Sequence, residues 1–228
     1  MTDQLSFDPA EPPTEPTWDP EEPPADPVAA LRGDPYLGSV VAANGPVEIA
    51  PAPSLFERFV VSVLRQQVSM ASAEATRERL FEAVDVTPAG ILDADDATLR
   101  EAGLSRQKTR YVDNIAAAFE SEGYDRASFA DMSDEAVRAE LTSITGVGEW
   151  TANMQLLFSL GREDVFPVGD LGVRKGVRAV VGDDDEALTR GEMREFARRW
   201  RPFRSYATLY LWKAEDAAGG DVKEVVEG

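Results

Sequence analysis

Gly146-Val147-Gly148 and Asp170 are the residues of this chain whose types and spacing best suit them to chemistry. A turn with glycine at both flanks lets the backbone come close to another molecule, because neither residue carries a Cβ to obstruct it. The helical pattern beginning near Glu149 then aims unpaired amide N–H groups at whatever sits there, which suits one phosphate oxygen. Farther along, Asp170 follows Pro167-Val168-Gly169 and heads another helical run. Its carboxylate is therefore expected at a helix N-terminus, where the helix dipole favours negative charge. The pair reads as a phosphate clamp beside a poised anion, although an aspartate in that position can also be a helix cap and nothing more.

The elements that must position these residues are helices. Leu55, Phe59, Val63 and, past a Gln-Gln-Val-Ser break, Ala73 and Leu80 recur at helical spacing from Ser54 to Val84, with Ser54 as N-cap, which gives two helices. Asp96–Ala102 and Arg106–Phe119 read as a short and a longer helix separated by Gly103-Leu104, and Ser133–Leu141 as another. After the glycine turn come a helix to Leu160 stopped by Gly161, one from Asp170 to Val181 stopped by Gly182, and two more over Thr189–Trp200 and Pro202–Asp216. Strand signals are scarce, so the expected fold is all-α. Residues 1–33 are rich in Pro, Asp and Glu with little apolar periodicity and read as a flexible arm, leaving 34–228 as the folded domain.

Composition narrows the chemistry. The 228 residues, 43% of them hydrophobic, can bury a sizeable core. No apolar run approaches the roughly 20 residues needed to span a bilayer. A soluble protein with no membrane partner is expected. No basic-then-apolar leader opens the sequence and there is no cysteine, so a cytoplasmic location is expected. The absence of both Cys and His excludes Cys/His zinc sites, cysteine-held iron–sulfur clusters and histidine acid–base chemistry. Net charge is −19, from 42 acidic and 23 basic residues, the reverse of the usual nucleic-acid binder. The excess is uneven: residues 1–31 hold eight acids and no basic residue, whereas Arg174-Lys175-Gly176-Val177-Arg178 and Arg198-Arg199-Trp200-Arg201 are basic clusters. Acidic decoration with few lysines suits a halophilic cytoplasm, where the Debye length is about 3 Å at 1 M salt and close contacts must replace long-range attraction.

The hairpin and Asp170 resemble those of the helix-hairpin-helix DNA glycosylases, and within them the 3-methyladenine DNA glycosylase II branch. The resemblance covers roughly residues 34–216 and adds Phe56-Glu57-Arg58-Phe59-Val60 with Leu64-Arg65-Gln66-Gln67-Val68-Ser69, Gly103-Leu104-Ser105 with Lys108, and Arg199-Trp200-Arg201-Pro202 running into Arg204-Ser205-Tyr206-Ala207. It implies two helical lobes with the active-site cleft between them, no cofactor, and as partner double-stranded DNA containing damaged bases, bound by a monomer. Gly146, Gly148 and Thr151 would bind phosphate, with a monovalent cation held by hairpin carbonyls, and Gln67 would fill the gap left in the duplex. Trp150 and Trp212 match pocket-wall tryptophans, and Met154 stands where relatives place an aromatic pocket residue.

Base excision breaks a C1′–N bond through an oxocarbenium-like transition state, which a fixed carboxylate such as Asp170 can stabilise while it positions water. No second carboxyl group stands at motif spacing to protonate a leaving group. Purines alkylated at N3 or N7 already carry positive charge and need none, so the missing acid points to alkylated purines. A flipped cationic base against an indole face gains about 1–2 kcal/mol. Trp150 occupies the place where bifunctional relatives put a Schiff-base lysine, so a monofunctional enzyme without lyase activity is expected. Two alternatives stay open on sequence: a glycosylase for an oxidised or deaminated base, and a non-catalytic helix-hairpin-helix DNA-binding module.

Overall fold

The computed structural model describes residues 15–19, 21–182 and 188–219, and among these every regular element is helical. The elements are α1 (Pro27–Arg32), α2 (Gly38–Asn44), α3 (Leu55–Arg65), α4 (Met70–Ala83), α5 (Pro88–Asp93), α6 (Asp96–Glu101), α7 (Arg106–Glu122), α8 (Asp134–Thr142), α9 (Glu149–Phe158), α10 (Leu171–Val181), α11 (Arg190–Phe196) and α12 (Arg204–Ala217). Short 3₁₀ turns cover Ala127–Phe129 and Ala197–Trp200. No described helix is long and apolar enough to cross a membrane. The chain divides into two compact units, residues 50–162 and residues 1–49 with 163–228.

The central unit is built around α3. Leu55, Phe59 and Val63 alternate with Phe56, Val60 and Leu64 at four-residue spacing, and all six are buried. At about 1.5–3 kcal/mol for each large apolar side chain removed from water, this one helix supplies much of the unit's driving force. Ser54 starts it by accepting from the Glu57 N–H. Phe119 of α7 meets Phe56 and Phe59 edge-on at ring distances of 5.2 and 5.3 Å. The α9 face toward α3 is polar: buried Gln155 donates to Ser62 Oγ at 2.9 Å and accepts from Ser159 Oγ at 2.6 Å. Such a satisfied buried network fixes register between the two helices, because any slip would leave an amide without partners.

In the other unit α10 and α12 touch backbone to backbone. A Cβ at Gly176 would lie 2.1 Å from the Leu211 carbonyl oxygen, so only glycine allows this approach. The flanks of the same unit are joined by ions: Arg199 pairs with Asp34 at 2.8 Å, both buried, and stacks 4.6 Å above the Tyr36 ring. Arg204 grips Asp164 through two nitrogens at 2.6 and 2.9 Å.

The boundary of the flexible arm is corrected by the structure. Asp26 accepts from the Val28 and Ala29 N–H groups and caps α1, Pro27 occupies its first turn, and Leu31 is wholly buried. An Asp-Pro pair is a helix start as well as a disorder-rich dipeptide, and its local capping chemistry outweighs composition here. Upstream, Trp18 donates to the Arg201 carbonyl oxygen at 3.1 Å and packs on Phe203. Residues 1–14 of the expected arm lie outside the described residues.

Candidate active site

The hairpin is α8, the turn Ser143–Gly148, and α9. Gly146 has φ +108, a conformation that side chains avoid, and a Cβ there would lie 2.5 Å from Cγ of Tyr111. Gly148 is the N-cap of α9, is exposed, and has no atom within 4 Å of where a Cβ would stand. No side chain caps α9, so its first N–H groups face outward at a position open to close approach. Thr151 is buried, and its hydroxyl accepts from Gln66 Nε2 at 3.2 Å. Thr151 thus ties the turn to the Gln66 loop, and it also lines the cavity beside the hairpin.

The Gln-Gln-Val-Ser break stands against the hairpin. Gln66 Nε2 donates to the Gly146 carbonyl oxygen at 3.3 Å as well as to Thr151. Gln67 is exposed and has φ +58, the only non-glycine among the described residues in that region. A side chain held there signals a backbone constrained by its surroundings. Arg65, Gln66, Gln67, Tyr111, Gly146, Gly148 and Trp150 line a cavity of about 540 Å³. Trp150 thus lines a concave surface that also carries the candidate wedge. Lys108 Nζ donates to the Leu64 carbonyl oxygen at 2.6 Å, and burial pushes its ammonium below the ordinary lysine range.

Three hairpin carbonyls each accept one hydrogen bond: Ile144 from the Val147 N–H, Thr145 from Asn114 Nδ2 and Gly146 from Gln66 Nε2. Each keeps a second lone pair. Neutral carbonyls of this kind suit a monovalent cation, and among the described residues no cluster of three or more carboxylates stands to hold a metal ion.

In the other unit, Asp170 is the N-cap of α10, half-buried. Its Oδ1 accepts from the Val173 N–H at 2.9 Å and from Trp212 Nε1 at 2.9 Å. Arg174 fastens the loop behind it, donating to the carbonyls of Val168, Gly169 and Asp170 at 3.2, 2.6 and 3.2 Å. Gly172 makes room for the indole, since a Cβ there would be 2.8 Å from Cδ1 of Trp212. One carboxylate oxygen is therefore fixed by two donors at a helix start, which orients the group.

The two other expected pocket residues are buried, Met154 3% exposed and Trp212 1% exposed. Met154 packs inside the central unit, and Trp212 acts as the positioning partner of Asp170. Tyr111 and Gln66 line the cavity and Lys108 holds the end of α3 beside it, and none of the three carried a distinct sequence signal for these contacts; Gln66 and Lys108 were visible only as parts of motifs.

Residues 60–202 match the family described as HhH-GPD superfamily base excision DNA repair protein. DNA-3-methyladenine glycosylase 1 of Schizosaccharomyces pombe is 32% identical over 72% of this chain and 73% of its own length. YfjP of Bacillus subtilis is 26% identical over 71% of this chain, which spans 59% of that protein's length. The structure is similar to that of Schizosaccharomyces pombe 3-methyladenine DNA glycosylase in complex with abasic DNA, with a TM-score of 0.74 and 29% identity over 82% of this chain and 95% of that one. With the family matched across well over half of its residues, the chain belongs to the HhH-GPD superfamily of base excision DNA repair proteins.

Proposed function

We propose that this protein is a DNA-3-methyladenine glycosylase that releases alkylated purines, of the 3-methyladenine and 7-methylguanine type, from double-stranded DNA, acting as a monomer. The observation that carries the reading is Asp170, a carboxylate set at a helix start by two N–H donors in a chain of this family. The α9 N–H groups behind Gly146 and Gly148 would bind a backbone phosphate, with a monovalent cation on the hairpin carbonyls adding positive charge. Gln67 would enter the duplex where the base has left, and Trp150 would stack on the flipped base. Asp170 stabilises the positive charge developing at C1′ and orients water onto it. The glycosidic electron pair returns to the cationic purine, which leaves neutral, and the water proton passes to solvent. With tryptophan at position 150 the reaction ends at an abasic site and leaves the strand uncut. The acidic surface suits a salty cytoplasm.

The test is base release from duplex DNA treated with a methylating agent, resolved by chromatography in multimolar potassium chloride. Free 3-methyladenine and 7-methylguanine are expected. Release of oxidised or deaminated bases instead would redirect the substrate, and binding without release of any base would reduce the protein to a DNA-binding module.

A further inference from the structure

The C-terminus of α3 ends without the usual device. Helices that close into a left-handed residue commonly place glycine there. Here Gln66 leaves in an extended conformation and Gln67 takes φ +58 with a full side chain. A conformation of that kind persists only where neighbouring groups over-determine it. Two groups in the central unit do so. Gln66 is held by Gly146 and Thr151 on the hairpin side. On the other side Lys108, in the first turn of α7, donates to the carbonyl of Leu64, one of the last carbonyls of α3 and hence lacking a partner within the helix. A cation at this end also meets the negative pole of the α3 dipole. The amine is partly buried, so its charge is used locally rather than offered to a solvent-exposed phosphate.

We propose that Lys108 is a positioning residue for the duplex wedge: by holding the last turn of α3 it keeps Gln67 in the left-handed conformation that projects its side chain outward. The inference rests on the reading of Gln67 as the residue that enters the duplex.

The experiment is a double-mutant cycle between Lys108→Met and Gln67→Ala in the full chain, with two readouts. One is the rate of base release from methylated duplex DNA. The other is the fluorescence of 2-aminopurine placed opposite an abasic site, which reports occupation of the gap and needs no base release. Lys108→Met is expected to slow release roughly tenfold, the loss that goes with one charge-assisted hydrogen bond, and to move the fluorescence toward the Gln67→Ala value. The double variant should be no worse than Gln67→Ala alone, because Lys108 acts through Gln67. Lys108→Arg should restore most of both signals. Additive losses, or a Lys108→Met protein with wild-type fluorescence, would overturn the proposal. Lys108→Gln, which keeps a polar terminus, runs the same cycle if Lys108→Met does not fold. A wild-type protein that releases no base refutes the glycosylase reading, and the fluorescence arm still decides the role of Lys108.

Discussion

Replacing Asp170 by asparagine and, separately, by alanine divides its chemical role from its structural one. Asparagine caps helices about as well as aspartate. Turned so that Oδ1 still accepts from the Val173 N–H and Trp212 Nε1, both at 2.9 Å in the native protein, its amide keeps both contacts and puts an NH₂ where the second carboxylate oxygen stood. Removing the charge at the helix dipole costs about 0.3–1 kcal/mol. Alanine removes the cap, about 1 kcal/mol, and withdraws the acceptor of a buried indole N–H, about 1–3 kcal/mol. For a chain of 228 residues each kcal/mol shifts Tm by about 2–4 °C. Asp170→Asn should therefore melt within about 4 °C of wild type and Asp170→Ala about 4–16 °C lower. Base release should fall in both by about 10²–10³-fold, the effect of losing one preorganised electrostatic stabiliser. Thermal melts by circular dichroism and chromatographic base release measure the two quantities on the same samples. If Asp170→Asn keeps activity within a few-fold of wild type, Asp170 is a cap and the proposed chemistry fails.

Other outcomes are equally specific. Gly146→Ala should lower both Tm and affinity for abasic-site DNA, because its Cβ meets Tyr111 at 2.5 Å, whereas Gly148→Ala, with open space around it, should weaken binding by anisotropy while leaving Tm nearly unchanged; equal behaviour of the two would refute the assignment of Gly148 to close backbone approach. Borohydride should trap no covalent protein–DNA adduct, and a trapped band lost on mutating Lys108 or Lys175 would refute the monofunctional assignment. The Tyr206 hydroxyl donates to Glu163, and burial followed by that carboxylate pushes its pKa up to about 12. Because the folded value lies above the unfolded one, its contribution to stability is complete below about pH 10 and is lost as pH rises through about 12. Tyr206→Phe should flatten that part of the alkaline melting profile, and an unchanged profile would count against the pair. Binding to a lesion analogue should show a shallow salt dependence, since a net charge of −19 opposes many phosphate contacts; a slope near −0.9 per phosphate implying six or more contacts would show that charge pairing dominates.

What sequence made legible was local. Ser54, Ser133 and Asp170 each cap a helix through a side chain that reaches the N–H three residues on, and the chain announces such contacts. The glycine turn and the left-handed Gln67 loop fall where the motifs stand. The α1 and α2 helices escaped because they are short and lie within or beside a Pro- and acid-rich stretch, and α5 because six residues give too little periodicity. The partners that define the site are long-range: Trp212 reaches Asp170 across 42 positions and Gln66 reaches Gly146 across 80. Nothing in one-dimensional spacing announces that an indole donates its N–H to a carboxylate, so the Trp212 contact with Asp170 was not legible.

The buried pair of Asp34 and Arg199 bears on how the polypeptide comes to be made. Its partners are separated by 165 positions, and the whole of residues 50–162 is threaded between them. During synthesis the central unit has all of its residues once position 162 has emerged, so it can complete its core early. The segment carrying Asp34 must wait, holding an unsatisfied carboxylate and the apolar faces of α1 and α2 in solvent until α10 to α12 arrive. Ribosome-bound chains ending shortly after residue 162 should therefore contain a folded core flanked by a protease-sensitive leading segment.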